Sequence, residues 1–235
     1  MAQHVLSNDD KSNPVFKSIE TVRKEALNNN QTVELNDLGA GSKVHNNRER
    51  SISQITKATA IPSKYGRLLY RLIKWGEVKN VLELGTGSGI SSSYILSALG
   101  SEAKLYTIEG ADALIPIARK HIEQIDSSAK IDFIAGNFDT KMESVLDQIG
   151  KLDLILLDGN HKKESTLRYF KQISPYLHPE SIVILDDIRW TKDMLEAWHE
   201  IRNNDKVTCS IDLFRMGLLF FKRELLKPQH ISYKY

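Results

Sequence analysis

From Lys79 onward, apolar and polar positions follow two alternating rhythms. Short, nearly unbroken apolar runs occur at Asn80–Leu84, Lys104–Glu109, Ile131–Ala135, Leu152–Leu157 and Ser181–Leu185. Between them, apolar residues recur at spacings of three and four, as in Leu114/Ile115/Ala118/Ile122 and Met142/Val145/Leu146/Ile149. The runs predict strands buried on both faces, and the periodic stretches predict helices that cross over between them. This alternation predicts an α/β fold with a parallel sheet covered on both sides. A helix over Thr191–Arg202 presents Leu195, Trp198 and Ile201. After it the pattern changes. Lys206–Phe214 and Gly217–Lys222 read as strands joined only by Arg215-Met216, and so short a connection makes an antiparallel hairpin.

Residues 1–75 are patterned differently, which divides the chain into an N-terminal helical segment and a domain over residues 76–235. Val15, Ile19, Val22 and Ala26 place a helix over Pro14–Asn28. Asn28 to Arg50 is rich in Asn, Gly and charge and reads as a loop. Within it, Asp37-Leu38-Gly39-Ala40-Gly41-Ser42 imitates a nucleotide-binding turn. No buried strand precedes it and no helical period follows directly, so a flexible turn is expected. Ser51–Ala60 and Ser63–Trp75 predict two more helices, the second with Leu68, Leu69, Leu72 and Ile73 on one face and Pro62 near its start.

Composition narrows the class without naming a function. The 235 residues, 41% hydrophobic and 26% charged, suit one globular domain plus an extra segment. A net charge of +2 gives no case for a nucleic-acid or anionic-membrane partner. The basic pairs Lys162-Lys163 and Lys222-Arg223 read as solvated faces, and Trp75 and Trp198 as core or rim packing. The single cysteine, Cys209, excludes an internal disulfide framework and a cysteine-rich zinc site. The chain has no apolar run of the ~18 residues needed to span a bilayer. Its N-terminus lacks the basic-then-apolar pattern of a secretory signal. A cytoplasmic protein is expected.

The chemistry gathers around Val81-Leu82-Glu83-Leu84-Gly85-Thr86-Gly87-Ser88-Gly89. An apolar run with one acid leads into glycine at every second position, then into a helix from Ile90 that stops at Gly100. Such glycines let backbone approach a ligand, and the helix start offers free N–H groups to an anion. A dinucleotide fingerprint would need glycine where Ile90 stands, and no Gly-Lys-Ser/Thr ending makes a phosphate loop. The remaining pattern, Glu-x-Gly-x-Gly-x-Gly after a strand, resembles motif I of the class I S-adenosylmethionine-dependent methyltransferases. The five strands ending in a hairpin likewise resemble that family's Rossmann-like seven-stranded sheet. The resemblance covers roughly residues 79–222. It implies that Glu83, Gly85, Thr86, Gly87, Ser88, Gly89 and Ser91 hold the methionine end of S-adenosylmethionine. It also implies that the N-terminal helices lie over the mouth of the domain as a substrate lid.

Ligands of open α/β sheets bind outside the carboxyl ends of the strands, so the residues ending each strand are the candidates. Strand two ends at Glu109-Gly110, about 20 positions past the glycine turn, where a carboxylate takes both ribose hydroxyls; the alternative is a helix cap. Strand three ends at Asn137-Phe138, where the family places adenine; a plain Gly-Asn turn is the alternative. Strand four ends Asp158-Gly159-Asn160-His161 and strand five ends Asp186-Asp187-Ile188-Arg189-Trp190.

Those last two ends resemble the catechol and caffeoyl-CoA O-methyltransferases, with Asp187 where that branch has Asn and His161 where it has Lys. The Asp-Gly-x-His form is similar to a broader bacterial branch. By that likeness Asp158, Asp186 and Asp187 are metal ligands for Mg²⁺ or another divalent cation. Asp158 borders the cofactor and serves catalysis together with His161, the general base. Oxygen-only ligands suit Mg²⁺ or Ca²⁺, whereas capping by Asp158 and Asp187 is the alternative use of these residues. The expected activity is methylation of a small-molecule hydroxyl. An N-methyltransferase, a metal-independent enzyme, a non-catalytic nucleotide-binding module and an NAD-linked oxidoreductase stay open. The acceptor is not named by any motif, and the oligomeric state is not encoded in the pattern, with which a homodimer is compatible.

Overall fold

The computed structural model describes residues 5–6, 11–35, 49–125, 127–222 and 227–235. In chain order its elements are α1 (Pro14–Leu27), β1 (Thr32–Glu34), β2 (Glu49–Ser51), α2 (Ile52–Thr59) and α3 (Ser63–Gly76), then β3 (Asn80–Leu84), α4 (Ile90–Ala98), β4 (Lys104–Glu109) and α5 (Ile115–Ile122). They continue with β5 (Lys130–Ala135), α6 (Phe138–Ile149), β6 (Leu152–Leu157), α7 (Lys163–Ile173), β7 (Leu177–Leu185) and α8 (Lys192–Arg202). The chain closes with β8 (Cys209–Asp212), β9 (Gly217–Phe220) and β10 (Gln229–Ser232).

The sheet order is β10-β8-β9-β7-β6-β3-β4-β5. Strands β3 to β7 are mutually parallel, and β9 enters antiparallel between β7 and β8. The expected five parallel strands and C-terminal hairpin are therefore present, with an eighth strand added: β10 runs parallel to β8 at the sheet edge. All four of its residues are exposed, so it carries no apolar run by which a sequence reading could find it. The hairpin strands are shorter than expected and their connection is longer, Leu213 to Met216, closed by the Leu213 N–H donating to the Met216 carbonyl at 2.9 Å. The stretch expected as a loop between Asn28 and Arg50 contains β1, which pairs antiparallel with β2. Three-residue strands are too short for periodicity to register. The glycine-bearing turn at Asp37–Ser42 lies outside the described residues.

Each central strand distributes its side chains between two cores, as a period of two requires. Val81, Leu154, Leu156, Ile182 and Ile184 join one hydrophobic cluster; Leu82, Ile155, Leu157, Val183 and Leu185 join the other. The first cluster also contains Phe16, Ile19 and Val22 of α1 and Leu68, Leu69, Leu72 and Ile73 of α3. Helices α1 and α3 thus complete the core on one face of the sheet, while Ile52 and Ile55 of α2 join a smaller cluster. Gly66 of α3 touches the Tyr94 ring of α4 so closely that an added Cβ would stand 2.3 Å from it. The Tyr94 hydroxyl donates to Glu20 Oε1 of α1 at 2.6 Å. Trp198 is buried and Trp75 lies on the rim, while Lys163 and Lys222 pair with surface carboxylates. No helix among the described residues is long and apolar enough to cross a membrane.

Strand order reverses between β3 and β6. The chain proceeds outward through β4 and β5, then returns to β6 on the other side of β3. In open α/β sheets the flanking connections leave such a point in opposite directions, and the crevice between them at the carboxyl ends is where ligands bind.

Candidate active site

The glycine loop crosses the crevice at Gly85 to Gly89. Gly85 adopts φ +100°, and a Cβ there would stand 2.2 Å from the Asp158 carbonyl oxygen at the end of β6. Gly87, at φ +52°, presses on Thr59 of α2, whose side chain would lie 2.8 Å from an added Cβ. Gly89 caps α4 in the left-handed region against Ala118. Positive φ and close backbone approach together require glycine at these points.

Beneath the loop lies Glu83, fully buried. It accepts from Ser91 Oγ at 2.6 Å, Ser92 Oγ at 2.5 Å and Thr107 Oγ1 at 2.7 Å. Burial raises its carboxyl to about 7; the three hydroxyls oppose the rise and the nearby Glu109 charge adds to it. Glu83 therefore braces the helix start against β4 from below, and Ser91 is turned inward toward it. Ser91, expected at the methionine end of the cofactor, donates its hydroxyl to this carboxylate. Thr86 bonds Thr107 at 2.6 Å, and both the Ser88 N–H and its hydroxyl approach Thr59. His121 of α5 meets the Ser88 carbonyl through Nδ1 at 2.8 Å.

Glu109 ends β4 with its carboxylate turned back to the loop. Oε2 accepts the Gly87 N–H and Oε1 the Ala111 N–H, both at 2.8 Å. Gly110 leaves open space where a side chain would be. At the end of β5, Asn137 caps α6 through its side chain, accepting from the Asp139 N–H at 2.8 Å. Phe138 packs edge-on to Tyr169, with ring centroids 5.8 Å apart, and against Gly159. Both are half-buried at the crevice wall.

The ends of β6 and β7 lie side by side, since Leu157 pairs with Leu185 and the Asp186 N–H donates to the Leu157 carbonyl at 3.0 Å. Asp158, Asp186 and Asp187 are thus brought together, with His161 Nε2 3.8 Å from Asp158 Oδ1. Burial, then the charges of Asp186 and Asp187, hold the Asp158 carboxyl well above the usual carboxylate range. Asp187, at φ +52°, is raised for the same reasons, with Arg215 and His161 opposing.

Arg215, in the loop between β8 and β9, enters this cluster. Its Nε donates to Asp186 Oδ1 at 3.1 Å and its Nη2 to Asp186 Oδ2 at 2.8 Å, while Nη2 also lies 3.1 Å from Asp187 Oδ1. Both oxygens of Asp186 and one of Asp187 thus face a guanidinium. Among the described residues no group of three or more His, Cys, Asp or Glu is arranged to hold a metal ion. The donor set as it stands does not fit the divalent cation that the family resemblance implied. A second clamp, Arg189 to Asp212 at 2.6 and 2.7 Å, joins the end of β7 to the hairpin. The exposed Phe214 ring lies against the Arg189 guanidinium, its centroid 5.0 Å from Cζ, and Trp190 is exposed.

Periodicity and motif spacing passed over Arg215, Thr107, Thr59 and His121. Arg215 read as a hairpin residue, because only the pairing of β9 with β7 returns it to the carboxyl edge.

A methyltransferase-domain family model matches residues 82–188. A catechol O-methyltransferase of Niastella koreensis is 25% identical over 132 residues, covering 56% of this chain and 59% of that protein. A catechol O-methyltransferase of Mycobacterium tuberculosis is 19% identical over 129 residues, 55% and 57% of the two chains. The match therefore spans less than three-fifths of the length of either relative. Among solved structures, the O-methyltransferase from Bacillus cereus in complex with SAH superposes with a TM-score of 0.63 at 16% identity, covering 93% of this chain and 96% of that one. The O-methyltransferase TomG from Streptomyces achromogenes, in complex with SAM, gives 0.63 at 18% identity, covering 92% and 93%. These superpositions bear out the α/β, Rossmann-like fold.

Proposed function

We propose that this chain, whose residues 82–188 match a methyltransferase domain, transfers a methyl group from S-adenosylmethionine to a hydroxyl of a small molecule. The observation that carries the reading is the glycine loop, braced from below by buried Glu83 and tied to Glu109, at the switch point of the sheet. Structural neighbours of the same fold were solved with SAM or SAH bound.

In this reading the methionine end lies along the backbone of Gly85 to Gly89. Glu109, which accepts the Gly87 N–H at the end of β4, binds the ribose hydroxyls. Asn137 and Phe138 border the adenine. The acceptor enters beside Asp158 and His161, with α2 as part of the lid over the loop. Its oxygen attacks the methyl carbon, the O–C bond forms as the S–C bond breaks, and the sulfonium leaves as a neutral thioether. The hydroxyl proton passes to His161 Nε2, the imidazole nitrogen 3.8 Å from Asp158 Oδ1. Most of the rate enhancement comes from in-line positioning and this single proton transfer. A divalent cation would, when bound, lower the acidity barrier of the hydroxyl; the donor set around Asp186 does not fit one, and no step here depends on it.

Calorimetry with S-adenosylmethionine and SAH tests the cofactor. A panel of phenolic and aliphatic hydroxyl compounds with methyl-labelled cofactor then tests transfer. Absence of binding to either cofactor form would remove the reading altogether.

A further inference from the structure

The guanidinium of Arg215 sits where three carboxylates converge, and its position is built by the fold. β9 pairs antiparallel with β7, Gly217 opposite Leu185, so the loop before β9 arrives at the end of β7. The Ile188 N–H donates to the Arg215 carbonyl at 2.9 Å, fixing the backbone from which the side chain reaches in. Nε and Nη2 then clasp the two oxygens of fully buried Asp186, and Nη2 reaches Asp187 as well. A two-pronged guanidinium–carboxylate pair fixes both groups geometrically in a way a point charge does not. The side chain remains 32% exposed, and Nη1 has no partner among the described residues.

We propose that Arg215 is the resident cation of this site. It neutralises Asp186 and Asp187 in place of a divalent metal and presents Nη1 to the acceptor oxygen as that oxygen gives up its proton. The second part rests on the methyltransferase reading; the first does not. A divalent ion on these carboxylates would have to displace the guanidinium or share their oxygens with a like charge. Acceptor activation then needs no exchangeable ion, because the positive charge is covalently part of the chain and cannot be deprotonated under physiological conditions. It also favours acceptors that offer an oxygen to a planar N–H donor over those that must chelate.

Manganese binding to the full-length protein tests the first part without any acceptor. Electron paramagnetic resonance titration with Mn²⁺ alone should show no binding to wild type that depends on Asp186. Arg215→Ala should gain a Mn²⁺ site at least tenfold tighter than wild type, lost again in Arg215→Ala/Asp186→Asn. Arg215→Gln, which keeps volume and polarity, serves where the alanine variant does not fold. Micromolar binding by wild type that Asp186→Asn abolishes would overturn the proposal, as would a folded variant that gains no site. Should neither variant fold, the wild-type titration alone decides. Wild-type turnover should be unchanged by EDTA. Failure of wild type to bind S-adenosylmethionine would refute the methyltransferase reading and the acceptor role, and leave the manganese result standing.

Discussion

At the scale of single residues, two glutamates of the same element pair do different work because their surroundings differ. Glu83 is sealed under the glycine loop and its carboxyl is pushed up to about 7. A buried acid raised in this way holds a proton in the folded state that the unfolded chain releases nearer 4.5. Its stabilising contribution is complete below the unfolded value and declines as pH rises toward 7, then levels off. A rise of that size corresponds to roughly 3 kcal/mol. Glu83→Gln should flatten the fall in melting temperature between pH 5 and pH 7.5 relative to wild type; parallel curves would assign the pH response elsewhere. Glu109, by contrast, ends β4 with its carboxylate on the glycine loop. Removing a charged hydrogen-bonding partner costs about 1.5–3 kcal/mol, so Glu109→Ala should weaken S-adenosylmethionine binding at least tenfold, read by calorimetry. Unchanged affinity would take Glu109 out of the site. His161→Ala should lower kcat by about a hundredfold with cofactor affinity preserved; equal loss of both would make His161 structural.

At the scale of elements, the turn between β3 and α4 depends on contacts from three directions: Asp158 at Gly85, Thr59 at Gly87 and Ala118 at Gly89. Gly87→Ala adds a Cβ at a left-handed backbone position, costing about 1–2 kcal/mol, and drives it into Thr59. Gly100, past the end of α4, has open space around it and no positive φ. Calorimetry should therefore find Gly87→Ala several-fold or more weaker for cofactor and Gly100→Ala unaltered. Equal affinities in the two variants would mean that α2 does not constrain the loop. Thr59 ends α2 against the loop, and the capping box of Ser51 and Gln54 sets where α2 begins.

At the scale of the whole molecule, the N-terminal helices and the sheet share one hydrophobic cluster, so ligand binding at the crevice should stabilise the chain as a unit. Free ligand at about 100 times Kd adds roughly 2.7 kcal/mol to the folded state. A single cooperative melt should shift upward with SAH. A melt that splits, with only one phase responding, would show that residues 14–76 and the sheet unfold independently.

The sequence by itself determined the parallel sheet, because each strand buried on both faces must be an apolar run and each crossover must carry helical spacing. The bounds of β3, β4 and β6 follow from those runs. It also marked the glycine loop, Glu109 and the carboxylates at the ends of β6 and β7, since local motif spacing and the rule of carboxyl-end sites require no partner to be known. Tertiary structure alone decided what those side chains face. Ser91 turns toward Glu83 because the helix start rests on a buried acid. β10 exists only as an addition to an edge that β8 supplies. Arg215 meets Asp186 across 29 residues of chain, through a β9–β7 pairing that no local pattern encodes. Hydrophobic period records which way a residue points within its own element; the group it meets depends on which elements the core brings together.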